Sequence, residues 1–149
     1  MSIFPPAQNN LHQYPGHLFR RLHQIAVAKF SMVAEPFGLT PLQWAALAAI
    51  ERKPGVDQSA MSRDIALDTS TTAGVIYRLE ARGLIRREAS DTDRRLRVLF
   101  LTDEGLDLLA RATPAVMQMQ HWLLGPLDPN EQSQFMDLML KIVNRADID

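Results

Sequence analysis

The chain has 149 residues, 46% of them apolar and 22% charged, with a formal net charge of −1 and no cysteine. This describes one globular domain with enough apolar matter for a core, and it excludes a disulfide framework, thiolate metal sites, cysteine catalysis and thiol-based peroxide sensing. No run of about 18 apolar residues is present to span a membrane, and the opening MSIFPPAQNNLHQYPG lacks the cation-then-apolar order of an export signal, so a cytoplasmic protein is expected.

Residues 1–14, with Pro5, Pro6 and several Asn and Gln before Pro15, read as an irregular arm. A helix is expected from about His17 to Ala34, because Leu18, Leu22, Ile25, Ala26, Phe30 and Val33 recur at helical spacing; Glu35-Pro36 and Gly38 end it. Thr40-Pro41-Leu42-Gln43 starts a second helix, with a capping threonine, a proline where no N–H is needed and a glutamine able to bond back. That helix, Pro41 to about Arg52, is apolar on nearly every side and so belongs between other elements. After Lys53-Pro54-Gly55, Asp57 caps a short helix from Gln58 to about Ala66. Leu67-Asp68-Thr69-Ser70 breaks the chain before a helix to about Arg82, which Gly83 stops. Two short helices joined by a tight turn form a helix-turn-helix.

Beyond Gly83 the period changes. Leu84–Glu88 and Leu96–Leu101 read as strands and residues 89–95 as a polar hairpin tip. Thr102 caps a long helix to about Leu124, with Asp103 and Glu104 in its positive first turn and a kink expected near Pro114. Asp128-Pro129-Asn130-Glu131 opens the last helix, whose stripe is Phe135, Leu138, Met139 and Ile142. The fold class expected is mainly α with a small β-hairpin. Between Arg78 and Arg97 seven arginines meet four acidic residues, a basic segment in an acidic chain and the footprint of a nucleic-acid contact.

The stretch from Gln58 to Gly105 resembles the MarR family of bacterial regulators. Its most specific pieces are Leu79-Glu80-Ala81-Arg82-Gly83-Leu84-Ile85, Asp93-Arg94-Arg95 and Leu101-Thr102-Asp103-Glu104-Gly105, with Leu39-Thr40-Pro41-Leu42-Gln43-Trp44 upstream. The likeness spans roughly residues 17–145. It implies a single winged helix-turn-helix domain over 1–149: a DNA-binding lobe at 40–101, and dimerisation helices at 17–35 and 103–146 that make an obligate homodimer on a pseudo-palindromic operator. It also implies a recognition helix at about Ser70 to Arg82 in the major groove, a wing in the minor groove with Arg95 at the contact, and a salt bridge from Asp93 that holds the wing.

The residues give this physical sense. A helix fits the major groove, where base edges differ; an arginine on a thin hairpin suits the narrow, negative minor groove of A/T-rich DNA. The DNA-binding set expected is Ser70, Thr71, Thr72, Gly74, Arg78, Asp93, Arg94 and Arg95. Ser70 and Thr71 serve equally well as caps and as DNA contacts. Thr69 and Gly74 stand where relatives often carry basic or larger polar side chains, which leaves Arg78 and Arg82 as the helix's cations. Gly74 either lets the backbone approach DNA or accommodates packing.

Many relatives release DNA on binding small aromatic acids between the dimer helices and the DNA-binding lobe. The residues here that suit a carboxylate and a ring are His17, Arg20 and Arg21 on the first helix and Trp44 on the second, although a tryptophan on an apolar helix is more readily core than ligand wall. His12, His17 and His23 match no compact metal pattern, and no cofactor is expected. No Gly-rich phosphate loop, Gly-x-Ser-x-Gly or His-Glu-x-x-His is present. The reading is thus of a DNA-binding repressor, not an enzyme, released by an aromatic carboxylate. A metal-responsive or ligand-independent regulator, and a winged helix used for protein contacts, are the alternatives.

Overall fold

A computed structural model describes residues 10–146. The chain divides into two compact units, Met1–Val116 and Met117–Asp149, with the boundary inside a long helix, where the sequence reading expects one domain.

In the first unit, helix α1 (Pro15–Ala34) starts two residues earlier than expected. Pro15 occupies its first turn, where a missing N–H costs nothing. A short 3-10 turn, Leu11–Gln13, precedes it, held by the Asn10 side chain on the His12 N–H at 3.1 Å; residues 1–9 of the expected arm lie outside the described residues. Gly38, at φ +61°, closes the 3-10 turn Glu35–Phe37 that follows α1. Helix α2 (Pro41–Arg52) has the expected reciprocal cap: Thr40 Oγ1 accepts the Gln43 N–H at 3.2 Å and the Gln43 side chain accepts the Thr40 N–H at 3.1 Å.

Helices α3 (Gln58–Asp64) and α4 (Thr69–Ala81) form the helix-turn-helix. Asp57 caps α3 on the Ala60 N–H at 2.8 Å, and Asp68 caps α4. Between them Ala66 takes a left-handed φ of +52°. The turn is closed by the Leu67 N–H on the Ser62 carbonyl at 2.9 Å. Strands β2 (Ile85–Ala89) and β3 (Arg97–Leu101) pair antiparallel, with Ile85 opposite Leu101 and Ala89 opposite Arg97. A third strand, β1 (Val56–Asp57), adds to the outer edge of β3, so the sheet order is β1-β3-β2. Two residues are too few to show a period, which is why the sequence reading finds only the hairpin. Leu47 and Ile50 of α2, Met61 of α3, Ile76 and Leu79 of α4, Leu99 of β3 and Leu109 of the next helix are fully buried and make the core.

Helix α5 (Asp103–Leu124) runs through Pro114. Its start is locked by Thr102, whose hydroxyl donates to the Gly83 carbonyl at 2.6 Å and accepts the Gly105 N–H at 3.1 Å. The Leu84 carbonyl crosses so close to Gly105 that a Cβ there would overlap it. In the second unit a short turn joins the end of α5 to α6 (Pro129–Ala146). The Gln132 amide donates to the Leu124 and Leu127 carbonyls at 3.1 and 3.0 Å, and Asp128 with Glu131 makes the expected box.

Candidate DNA-binding face and effector residues

The start of α4 is built on Asp68. One carboxylate oxygen accepts the Thr71 N–H at 2.8 Å, and the other accepts the Thr71 hydroxyl at 2.6 Å. The Thr71 hydroxyl, and then its N–H, hold the Asp68 carboxyl below its ordinary range. Capping therefore belongs to Asp68, and Thr71 has given it both of its donors. Ser70 is exposed, and its hydroxyl has no partner among the described residues. Thr72 is corrected outright as a DNA contact: it is 0% exposed, and its hydroxyl donates to the Asp68 carbonyl at 2.9 Å. Three residues past Thr69 on the helix, it falls on the inward face with Val75, Ile76 and Leu79.

The outward face of α4 carries Ser70, Ala73, Tyr77 and Arg78, with Gly74 half-buried beside them. Nothing lies within 4 Å of where a Gly74 Cβ would stand, so packing within the chain does not require glycine there. Arg82 does not belong to this face. Its guanidinium donates to the Gly38 carbonyl at 2.7 Å and to Phe37 at 3.4 Å, strapping the end of α4 to the α1–α2 connection.

The base of the wing is fixed by Arg87 of β2, which forks onto Glu80 of α4 through three hydrogen bonds of 3.0–3.2 Å. These bonds push the Arg87 pKa up from its ordinary value. Arg86 pairs with Glu88 and stacks on Phe100, its guanidinium carbon 4.5 Å from the ring centre. The tip is tied by its own short side chains. The Asp93 carboxylate accepts the Arg95 backbone N–H at 3.0 Å, and Ser90 Oγ accepts the Thr92 N–H at 3.3 Å. Among the described residues the salt bridge expected of Asp93 does not form: its carboxylate turns inward to the tip's own backbone, an Asx turn in place of an ion pair.

Arg78, Arg94 and Arg95 are exposed and have no carboxylate partner among the described residues, and Arg63 of α3 and Arg97 of β3 share that state. Arg97 belongs to the basic segment counted from the sequence without being named there as a contact, and Arg63 escaped the sequence reading. Arg63, Arg95 and Arg97 line one cleft of about 520 Å³ between α3, the start of α4 and the wing, together with Ser59 and Thr69. An α-helix presenting an open face, beside a hairpin tipped with unpaired arginines, can enter a groove and grip the phosphates on its edges.

The four residues singled out for an effector do not form one cluster. Arg20 and His17 meet, Nη2 to Nδ1 at 3.1 Å, and His12 packs edge-on against His17 with ring centres 5.4 Å apart. His17 Nε2 is buried without a partner. Desolvation, with Arg20, His12 and Arg21 adding, pushes the His17 pKa below its ordinary value, which keeps the ring neutral. Arg21 is exposed. Trp44 packs instead against Phe30, ring centres 6.4 Å apart. Phe30 stands 13 residues along α1 from His17, about 20 Å at the helical rise, so one chain does not bring Trp44 to His17. The Trp44 indole N–H is itself buried and unpartnered, which plain core packing does not explain. Among the described residues no three acidic, histidine or cysteine side chains gather as a metal site, and no helix is long and apolar enough to cross a membrane.

Comparison with known proteins gives the same reading. A sequence model described as MarR family matches residues 37–96. The chain is 38% identical over 128 residues to the transcriptional regulator HosA of Escherichia coli, covering 86% of this chain and 93% of that protein. It is similar to the PcaV transcriptional regulator of Streptomyces coelicolor, solved in complex with its natural ligand: 35% identity, TM-score 0.84, 95% of this chain and 99% of that one covered. It is also similar to BpsR of Bordetella bronchiseptica, whose DNA binding is regulated by 6-hydroxynicotinic acid: 29% identity, TM-score 0.87, 93% and 98% covered. The chain belongs to the MarR family of winged helix-turn-helix transcription regulators.

Proposed function

We propose that this regulator is a homodimeric repressor that holds operator DNA with α4 and the wing and lets it go when a small aromatic carboxylate binds. The observation that carries the DNA half is the set of arginines without partners, Arg63, Arg78, Arg94, Arg95 and Arg97, on one helix-turn-helix and its hairpin. By contrast Arg52, Arg111 and the wing's own Arg86 and Arg87 are neutralised by carboxylates. The dimer is supported by apolar faces that a monomer would leave in water. On α1 these are Leu18, Phe19, Leu22 and Ile25; on α6 they are Leu138, Leu140, Ile142 and Val143, each more than half exposed.

The effector half rests on His17 Nε2, a buried ring nitrogen without a partner beside the Arg20 guanidinium. Arg20 and Arg21 take the carboxylate, and the neutral His17 ring bonds a hydroxyl or ring nitrogen of the ligand. The unpartnered Trp44 N–H is a separate donor, left for a group from a second copy. The ligands to try are hydroxybenzoates and hydroxypyridine carboxylates, the second class being the one named for BpsR. Release requires that the ligand bind one arrangement of the dimer better than the other. Linkage then requires that operator DNA weaken the ligand by the same factor. Calorimetry with a panel of these acids, with and without operator, tests this. The expected result is binding that His17→Ala or Arg20→Ala abolishes and that DNA weakens; affinity indifferent to DNA contradicts the switch.

A further inference from the structure

The outward face of α4 is poor in the side chains that usually read bases through hydrogen bonds. It holds no Asn, Gln, Lys or acidic residue between Thr69 and Arg78, and its single long polar side chain is Arg78. What stands out of it instead is Tyr77, 70% exposed, more so than any other large apolar side chain described. Its hydroxyl has no partner among the described residues, and its ring lies one helical turn beyond Ala73 and Gly74 on the same face. Gly74 has open space where its Cβ would be, and glycine destabilises a mid-helix position against alanine. Nothing inside the chain repays that cost.

In the major groove one base edge is apolar, the 5-methyl group of thymine; the others are read through donors and acceptors. The aromatic ring and the alanine methyl of this face, beside a bare glycine backbone, can pack on that group. We infer that Tyr77 is the specificity-determining residue of the recognition helix: its ring rests on a thymine methyl in each half-site, and Gly74 lets the helix axis come close enough for the contact. Arg78, next in sequence and also outward, supplies the guanine contact that fixes the register. This rests on the DNA-binding reading above and adds which base is read and how.

The test starts from sites selected by the full-length protein out of random duplex DNA. Each thymine of the selected site is replaced in turn by deoxyuridine, which removes only the methyl, and binding is measured for the wild type, Tyr77→Ala and Tyr77→Phe. The wild type is expected to lose about three- to tenfold at one thymine per half-site. Tyr77→Phe should keep that discrimination. Tyr77→Ala should bind more weakly and no longer distinguish thymine from uracil there, with an unchanged melting temperature. Gly74→Ala should raise the melting temperature and weaken specific binding while leaving binding to unrelated duplex alone. If the uracil penalty is the same in Tyr77→Ala as in the wild type, or no thymine shows a penalty, the inference is overturned while operator binding stands. If selection yields no site, the DNA-binding reading fails and this one falls with it.

Discussion

Gly105 shows how a single residue is fixed by its surroundings. The Thr102 cap holds its N–H, and the Leu84 carbonyl occupies the space of its side chain. Gly105→Ala is therefore expected to cost about 1–3 kcal/mol through forced backbone displacement, and thermal unfolding measures it; a melting temperature equal to the wild type's would show that the Leu84–Thr102 crossing yields freely. The caps Thr40, Asp57, Thr102 and Asp128 were legible in the sequence because each acts on a donor within three residues. Thr72, expected at the DNA, and Arg82, counted only as a cation of the helix, depend on the opposite, on what lies far from them along the chain. Whether a threonine faces inward depends on which side of α4 the core lies, and Arg82 is spent on a carbonyl 44 residues away in sequence. The sequence reading assigns no role to Tyr77 or Arg63, because residue type alone does not say which way a side chain on a helix faces, and their exposure does.

At the scale of elements, the wing is a rigid base with a self-tied tip. The Arg87–Glu80 fork anchors β2 to α4, and the Asx turn at Asp93 shapes residues 93–95 without any charge partner. Arg95→Ala should weaken operator binding by about 1–3 kcal/mol with the fold unchanged, and should flatten the salt dependence if the contact is to phosphate. Asp93→Asn should bind nearly as the wild type does, because an amide oxygen still accepts the Arg95 N–H, whereas Asp93→Ala should not. Equal losses in both Asp93 variants would restore a salt bridge as the wing's support. The first turns of α1 carry a proton-linked weakness. His17 has its pKa lowered from 6.5 by desolvation, Arg20, His12 and Arg21, so its neutral form is favoured by folding. That contribution is complete above pH 6.5 and is lost as pH falls through the lowered folded value. Melting temperatures followed from pH 7.5 down to about pH 5 should thus fall more steeply in the wild type than in His17→Gln; parallel curves would mean that the ring pays nothing for protonation.

For the whole molecule, the order of the helices and of the wing's two strands was readable from caps, stops and the change of period at Gly83, and the family from motifs that fall at the tight points: the Gly83 stop, the wing tip and the Thr102–Gly105 crossing. The two-unit division was not readable: the sequence suggests a kink near Pro114, but α5 continues through it from Asp103 to Leu124, and the units divide within that helix. Nor was the separation of Trp44 from His17, which follows from the length of α1. The exposed apolar side chains of α1 and α6 support the proposed homodimer. Sedimentation at micromolar concentration is expected to give a dimer, and Leu138→Glu with Ile142→Glu should shift it toward monomer and abolish cooperative DNA binding. A dimer places two recognition helices about one turn of DNA apart, ~34–36 Å, so a small rotation disturbs both half-sites at once.

The central claim is that α4 and an arginine-tipped wing grip duplex DNA, and it is tested most directly by fluorescence anisotropy of a labelled duplex from the protein's own promoter, titrated across a range of salt concentrations. The account predicts tight, saturable binding of one dimer per site. Its logarithmic slope with salt should correspond to several phosphate contacts, and should become shallower by roughly one or more units when Arg95, present twice in the dimer, is replaced by alanine. Binding that is absent at low salt, or equally strong and equally salt-dependent without Arg95 and Arg97, would contradict it.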